Sequence, residues 1–309
     1  MISCTDFIPA YSELFCYLEE HYGRQEIDNY WRTVFKPGGG SPLVNFLRAE
    51  GITGCFTYWS GTLNEEAADF SMYLNAKRGF FKIVMHRCPS KGRLLELQSQ
   101  IGLAPYRDYC LHCDSYRAAC EEVGLRYIYD FQNMDKAGCS ILIYNPQVFD
   151  GRVIMDEDTK VMERSASDNE YFHPSFHASL NRSLNYVGQN YGLEGVRGVL
   201  TRYVKNVIQP LMGQVDLPAI EAKIQTDYLR DKAPDAVHTD LTENALTVTV
   251  NYCPGIRYLR EHDIEVCQWF PYSTWCVMEE LSRLADCKFE VLSYDQQTGA
   301  SQYRFTKLS

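Results

Sequence analysis

Apolar positions along the chain switch repeatedly between a helical period and an alternating one. Leu14, Leu18 and Tyr22 fall four apart, and Tyr30, Trp31, Val34 and Phe35 follow them. That spacing predicts an opening helical stretch, ended by the loop chemistry of Pro37-Gly-Gly-Gly-Ser-Pro42. A strand–turn–strand pattern comes next, with strands at 69–74 and 80–87 around the turn 75–79. Cys88-Pro89 closes the second strand, and proline suits the first turn of the helix expected at 90–99. A second helix is predicted over 106–123, and two closing strands over 126–131 and 140–144.

The same order returns later. Phe176, Leu180, Leu184 and Val187 keep helical spacing, and Val196, Leu200, Tyr203 and Val207 extend it past Gly192. A hairpin follows at 236–241 and 246–252, where Leu246-Thr-Val-Thr-Val alternates as a half-buried strand does. Cys253-Pro254 ends it. Helices at 255–262 and 272–285 and strands at 288–293 and 302–306 complete the series. Short matches align the halves: Tyr17–Gly23 with Tyr186–Gly192, Cys88-Pro89 with Cys253-Pro254, Cys113 with Cys276, and Gly138-Cys139-Ser140 with Gly299-Ala300-Ser301. They are collinear and their separation shrinks steadily, as loop deletions would produce. The expected architecture is α+β: two tandem pseudo-repeats, each an antiparallel sheet of hairpins with helices packed on one face. The first repeat is placed at 1–146, with its recognisable similarity beginning near residue 10, and the second at 173–309. The acidic, serine-rich segment 147–172 reads as a solvated connector. Such a fused pair reads as a pseudo-dimer within one chain.

Composition narrows the function classes. A net charge of −10 argues against a nucleic-acid partner, which needs a basic surface. No run of 18 apolar residues is present, so no membrane partner is expected. The N-terminus has no basic and apolar leader pattern, and twelve cysteines then read as free thiols in a reducing cytoplasm.

Candidate chemistry lies with the cysteines of the first repeat. Cys88 ends a strand, Cys110 and Cys113 lie three apart at a helix start, and Cys139 opens the last strand. His86 is two residues from Cys88, on the same face of an extended strand. His112 stands within Cys110-Leu-His-Cys113. Three readings compete: a structural cluster of buried thiols, a nucleophilic or proton-handling thiol beside histidine, and a zinc site. Cys-x-x-Cys is half of a structural zinc motif, but no second pair follows at the usual spacing. No cofactor is therefore the first expectation and zinc the alternative. The second repeat keeps Cys253 and Cys276 but has Ala300 for Cys139 and Asn251 for His86, which favours the first repeat as the working one. The aromatic run Trp269-Phe-Pro-Tyr272 with Trp275 reads mainly as packing.

Cys88-Pro89, then Tyr109-Cys110-Leu-His-Cys113-Asp114, then Gly138-Cys139-Ser-Ile-Leu-Ile resembles the L-2-amino-thiazoline-4-carboxylic acid hydrolase family. The resemblance covers about 60 residues well. It implies a small-molecule substrate and hydrolytic opening of a cyclic amidine. It further implies Cys113 or Cys88 as nucleophile, His112 or His86 as proton carrier, and Cys139 as a pocket member, with Cys110 a further candidate for the catalytic set. The alternative is a non-catalytic small-molecule- or metal-binding module, or an accessory protein of a biosynthetic pathway.

Overall fold

The computed structural model describes residues 1–34 and 42–308. Phe35 and the loop expected at 37–41 lie outside the described residues. The chain forms two compact units, His21–Tyr171 and Met1–Glu20 joined with Phe172–Ser309.

Helix α1 (Phe7–Tyr22) is broken from α2 (Arg24–Val34) by Gly23 at φ +85°, a left-handed conformation that glycine enters without a Cβ clash. Two helices that the periodicity did not single out follow, α3 (Leu43–Glu50) and α4 (Thr53–Glu65). The expected hairpin is β1 (Asp69–Asn75) and β2 (Phe80–Arg87). Cys88 then caps α5 (Pro89–Ile101). The long helix expected at 106–123 is shorter: a 3-10 turn at Tyr109–Ser115 leads into α6 (Tyr116–Glu122). Strands β3 (Arg126–Asn133) and β4 (Gly138–Tyr144) close the series.

All strand pairs in this unit are antiparallel, in the order β3-β4-β2-β1-β5. The fifth strand, β5 (Lys160–Arg164), lies within the segment expected to be a solvated connector. It pairs with β1, Met72 opposite Met162. Asn75, fully buried, donates to Asp156 Oδ1 at 2.7 Å and Thr159 Oγ1 at 3.1 Å, and Arg78 Nε reaches Asp156 Oδ2 at 2.6 Å. The polar composition of 147–172 thus serves an exposed edge strand and a hydrogen-bonded loop. One sheet face carries Met72, Ile83, Ile141 and Tyr127, packed beneath α3, α4 and α6 with Leu47, Phe56, Trp59 and Cys120. Each such buried aliphatic or aromatic side chain contributes roughly 1.5–3 kcal/mol.

In the other unit, α7 (Phe176–Tyr203) runs through the predicted Gly192, whose φ of 66° and ψ of −165° interrupt the helical backbone. A π turn at Val204–Ile208, α8 (Gln209–Met212) and α9 (Leu217–Arg230) follow. Then come β6 (Val237–Leu241), β7 (Ala245–Val250), α10 (Pro254–Glu261), α11 (Tyr272–Leu284), β8 (Cys287–Tyr294) and β9 (Ser301–Lys307). The sheet order is β6-β7-β9-β8, the same succession as β1-β2-β4-β3. Leu246, Val248, Tyr303 and Phe305 form its buried face.

The division of the chain differs from the expected boundaries at 146 and 173, because residues 1–20 belong with the later unit. Packing decides this. A Cβ at Gly198 would stand 2.4 Å from Tyr17 Oη, so α1 lies directly on the α7 backbone. Buried Glu13 accepts from Arg202 Nε and Asn206 Nδ2, each at 2.7 Å.

Candidate functional site

The site is built where β2, β3, β4 and the 3-10 turn end near one another in the unit His21–Tyr171. Cys88 leaves β2 and takes the N-cap position of α5. Its backbone N–H donates to the Ala137 carbonyl at 2.6 Å, and its Sγ accepts from the Lys91 N–H at 3.4 Å. Cys139 stands opposite Met85 in the β2–β4 pair, on the face covered by helices. Tyr129 lies on β3 opposite Ile141, and the β3–β4 register shifts between Asp130 and Asn133. Bulges of this kind re-aim side chains at the end of a pair. The 3-10 turn bearing Cys110 and Cys113 is pinned to β3: Tyr127 Oη donates to the Cys113 carbonyl at 2.8 Å, and Arg117 bridges Asp114 and the Tyr127 carbonyl.

Cys88, Cys110, Cys113 and Cys139 share one electrostatic neighbourhood with Cys113 at its centre. Burial, then the charge of Cys113, pushes Cys110 and Cys139 up to about 12, and raises Cys88 well above its ordinary range. Cys113 itself is pushed up to about 12 by burial, against a hydrogen bond from Tyr129, with Glu66 and Asp114 adding to the rise. Tyr129 lowers Cys139 in the same way. All four groups are therefore neutral thiols near pH 7, and Tyr129 is the donor poised to stabilise either of two sulfurs if it ionises. Glu66, which accepts from Ser90 Oγ at 3.2 Å, supplies the nearby carboxylate.

His112 joins this cluster. Its Nδ1 lies 2.5 Å from the Tyr109 carbonyl, an acceptor only, so Nδ1 carries the proton. Nε2 is left as an acceptor 3.5 Å from Cys113 Sγ. Burial lowers the His112 pKa from 6.5, and the hydrogen bond to Tyr109 and the charge of Glu66 oppose that shift. A neutral base, oriented by a carbonyl and facing a thiol, has the arrangement of an activated nucleophile.

His86 is not in this cluster. The alternation that points Met85 toward Cys139 points His86 to the opposite face, where it is exposed and its Nε2 is 2.8 Å from Ser71 Oγ. The expected shared face of His86 and Cys88 fails because Cys88 has already left the strand. Tyr129 and Glu66 were not singled out from the sequence, and Tyr109 entered only as the first residue of the Cys110–Cys113 motif. Tyr129 carries only the alternation it shares with Tyr127, and Glu66 has no spacing signal at all.

The corresponding positions of the other unit repeat the frame without the chemistry. Cys253 also precedes its helix, and its N–H donates to the Thr298 carbonyl at 2.9 Å. Its Sγ lies 3.8 Å from Met1 Sδ, whereas Cys276 lies on α11 near the ion pair of Arg197 and Glu279. Trp269 packs over Gly188 and Trp275 against Tyr303, as the packing reading expects.

All twelve cysteines are unbridged. Among the described residues no helix is long and apolar enough to cross a membrane. The chain matches no family model, and neither the curated proteins nor the solved structures provide a significant match.

Proposed function

We propose that the cysteine-rich site of His21–Tyr171 is a hydrolytic site for a small cyclic amidine, with Cys113 as nucleophile and His112 as its base. The observation that carries this reading is the pairing of Cys113 Sγ with His112 Nε2, held in its acceptor form by the Tyr109 carbonyl. Attack by Cys113 sulfur on the C=N carbon forms a C–S bond and passes the thiol proton to Nε2. The π electrons move to nitrogen, which then receives that proton. Collapse breaks the ring C–N or C–S bond, the remaining nitrogen supplying the electron pair and giving up a proton that passes through His112 to the leaving atom, so that Cys113 is left as a thioimidate. Water then adds to that carbon, one of its protons passing through His112 to the imine nitrogen, and expulsion of Cys113, which takes up the hydroxyl proton through His112, leaves a carbonyl in place of C=N. Tyr129 donates to sulfur as charge develops. The resemblance to the L-2-amino-thiazoline-4-carboxylic acid hydrolase family supplies the substrate class and the cytoplasmic setting suits twelve free thiols.

The unequal halves support this assignment. The common strand order and the two Cys-Pro caps fit diverged copies of one unit, and only the earlier one gathers four cysteines and a histidine.

Turnover of a 2-aminothiazoline carboxylate by the purified chain tests this reading. Activity lost in Cys113→Ala and in His112→Asn, with folding intact, supports the hydrolase. Full activity in Cys113→Ala sinks it. Absence of turnover by the folded wild type sinks it as well.

A further inference from the structure

We propose that Cys4, His177 and Asp231 form a binding site for one zinc-type divalent cation, in the unit that lacks the cysteine-rich site. These three side chains come from three segments: the 3-10 turn Cys4–Asp6, the first turn of α7, and the residue just past α9. One ligand atom from each lies within 4.8 Å of the other two, and among the described residues they are the one such group of three. All are buried, at 1%, 3% and 6% exposure.

The geometry is prepared for a cation. The Cys4 backbone N–H donates to Asp231 Oδ1 at 2.8 Å, which aims the carboxylate. Its other oxygen, Oδ2, is buried and receives no hydrogen bond, with His177 Nε2 3.4 Å away. A buried carboxylate oxygen without a donor carries a desolvation cost of roughly 1–3 kcal/mol or more, and a cation is one partner that removes it. Gly255 makes room for the imidazole, since a Cβ there would stand 2.9 Å from His177 Nδ1.

Charge and ligand type select the ion. A thiolate, a carboxylate and a neutral imidazole balance a divalent cation to zero, which is what a water-free site requires. Binding releases the Cys4 thiol proton to solvent and forms the metal–sulfur bond in its place. Sulfur, nitrogen and oxygen donors together suit zinc rather than calcium or magnesium. Three protein ligands leave the fourth tetrahedral position to a small exogenous ligand. Because Cys4 lies in Met1–Glu20, the bound ion would clasp that segment to residues 177 and 231 of the same unit.

The test is zinc uptake by the full chain, counted by elemental analysis after dialysis. Cys4→Ser and Asp231→Asn are each expected to lose one equivalent from the wild-type total, while Cys110→Ser leaves that equivalent in place. Where a variant fails to fold, the wild-type protein with its half-buried thiols alkylated under native conditions serves instead. X-ray absorption should then show one sulfur at about 2.3 Å and nitrogen or oxygen neighbours at about 2.0 Å. No zinc retained by the alkylated wild type, a sulfur-only shell, or unchanged stoichiometry in both folded variants overturns the proposal.

Discussion

The thiols of the cysteine-rich site are held neutral by burial, and this sets how that site must respond to pH. With Cys113 pushed up to about 12, no standing thiolate exists at neutral pH, and sulfur becomes nucleophilic only as His112 takes its proton. The activity expected here therefore depends on neutral His112. Since its pKa is lowered from 6.5, kcat/KM should stay level as pH falls to 6.5 and decline only below that. A profile that declines between pH 8 and 7 would contradict the assignment. His112→Asn should cost about 10²–10⁴-fold in rate. Stability follows the same groups with the opposite reasoning on the alkaline side. Above about pH 8.5 the unfolded chain loses thiol protons that the folded site retains. The folded state then binds more protons, so stability falls as pH rises from that point toward 12. Below 6.5 the unfolded chain protonates the histidine first, so this residue lowers stability as the solution becomes more acidic. Denaturant titrations from pH 5 to 10 should place the maximum between these limits, and Cys113→Ala should reduce the alkaline loss.

At the level of elements, the helix ends and helix contacts make separate predictions. Gly102 ends α5 at φ +75°, with its N–H donating to the Gln98 carbonyl at 2.9 Å. Gly102→Ala should destabilise by about 1 kcal/mol in urea unfolding, the cost of a Cβ in the left-handed region. Helix α1 depends on the buried Glu13 carboxylate and its partners Arg202 and Asn206. Glu13→Ala leaves the largely buried Arg202 without that carboxylate and should cost about 3 kcal/mol. An unchanged denaturation midpoint would show that α1 docks through apolar contacts alone. The hairpins were readable because alternation and turn residues are local. Helix α3 is only eight residues long, too short for its period to stand out, and in α4 Gly54, Thr57 and Gly61 dilute the apolar stripe. A Cβ at Gly54 would come within 2.4 Å of the Phe46 carbonyl oxygen, so a packing demand replaced helix propensity there.

For the whole molecule, the division into units is the main departure from the linear reading. Residues 160–164 look like solvated linker in composition but pair along β1. Hydrogen exchange of the full chain should therefore show these amides protected on the timescale of edge strands, against rapid exchange for a true linker. The sequence of elements in the two units is similar enough that Cys-Pro occupies the same structural place in both. What the units hold at that place differs: a cluster of four thiols near Cys88 in one, and in the other Cys253, whose thiol is pushed up by burial and then by the Asp231 charge.

Local chemistry in the sequence determined the hairpins, the proline-started helices and the placement of cysteines at element ends; the periodicity ran on past Gly192, and only the structure shows the break there. Those features depend on periods of two and 3.6 residues and on backbone restrictions at proline and glycine. Tertiary structure alone decided that His112 meets Cys113, that Cys88, Cys110 and Cys139 fall within its electrostatic reach, and that His86 faces away. A single residue of strand register, and the point at which the chain leaves β2, separate those outcomes. It also decided that Met1–Glu20 packs with Phe172–Ser309 and that Cys4 reaches His177 and Asp231. Contacts between segments over 170 residues apart leave no periodic trace, because they arise from which buried surfaces fit together.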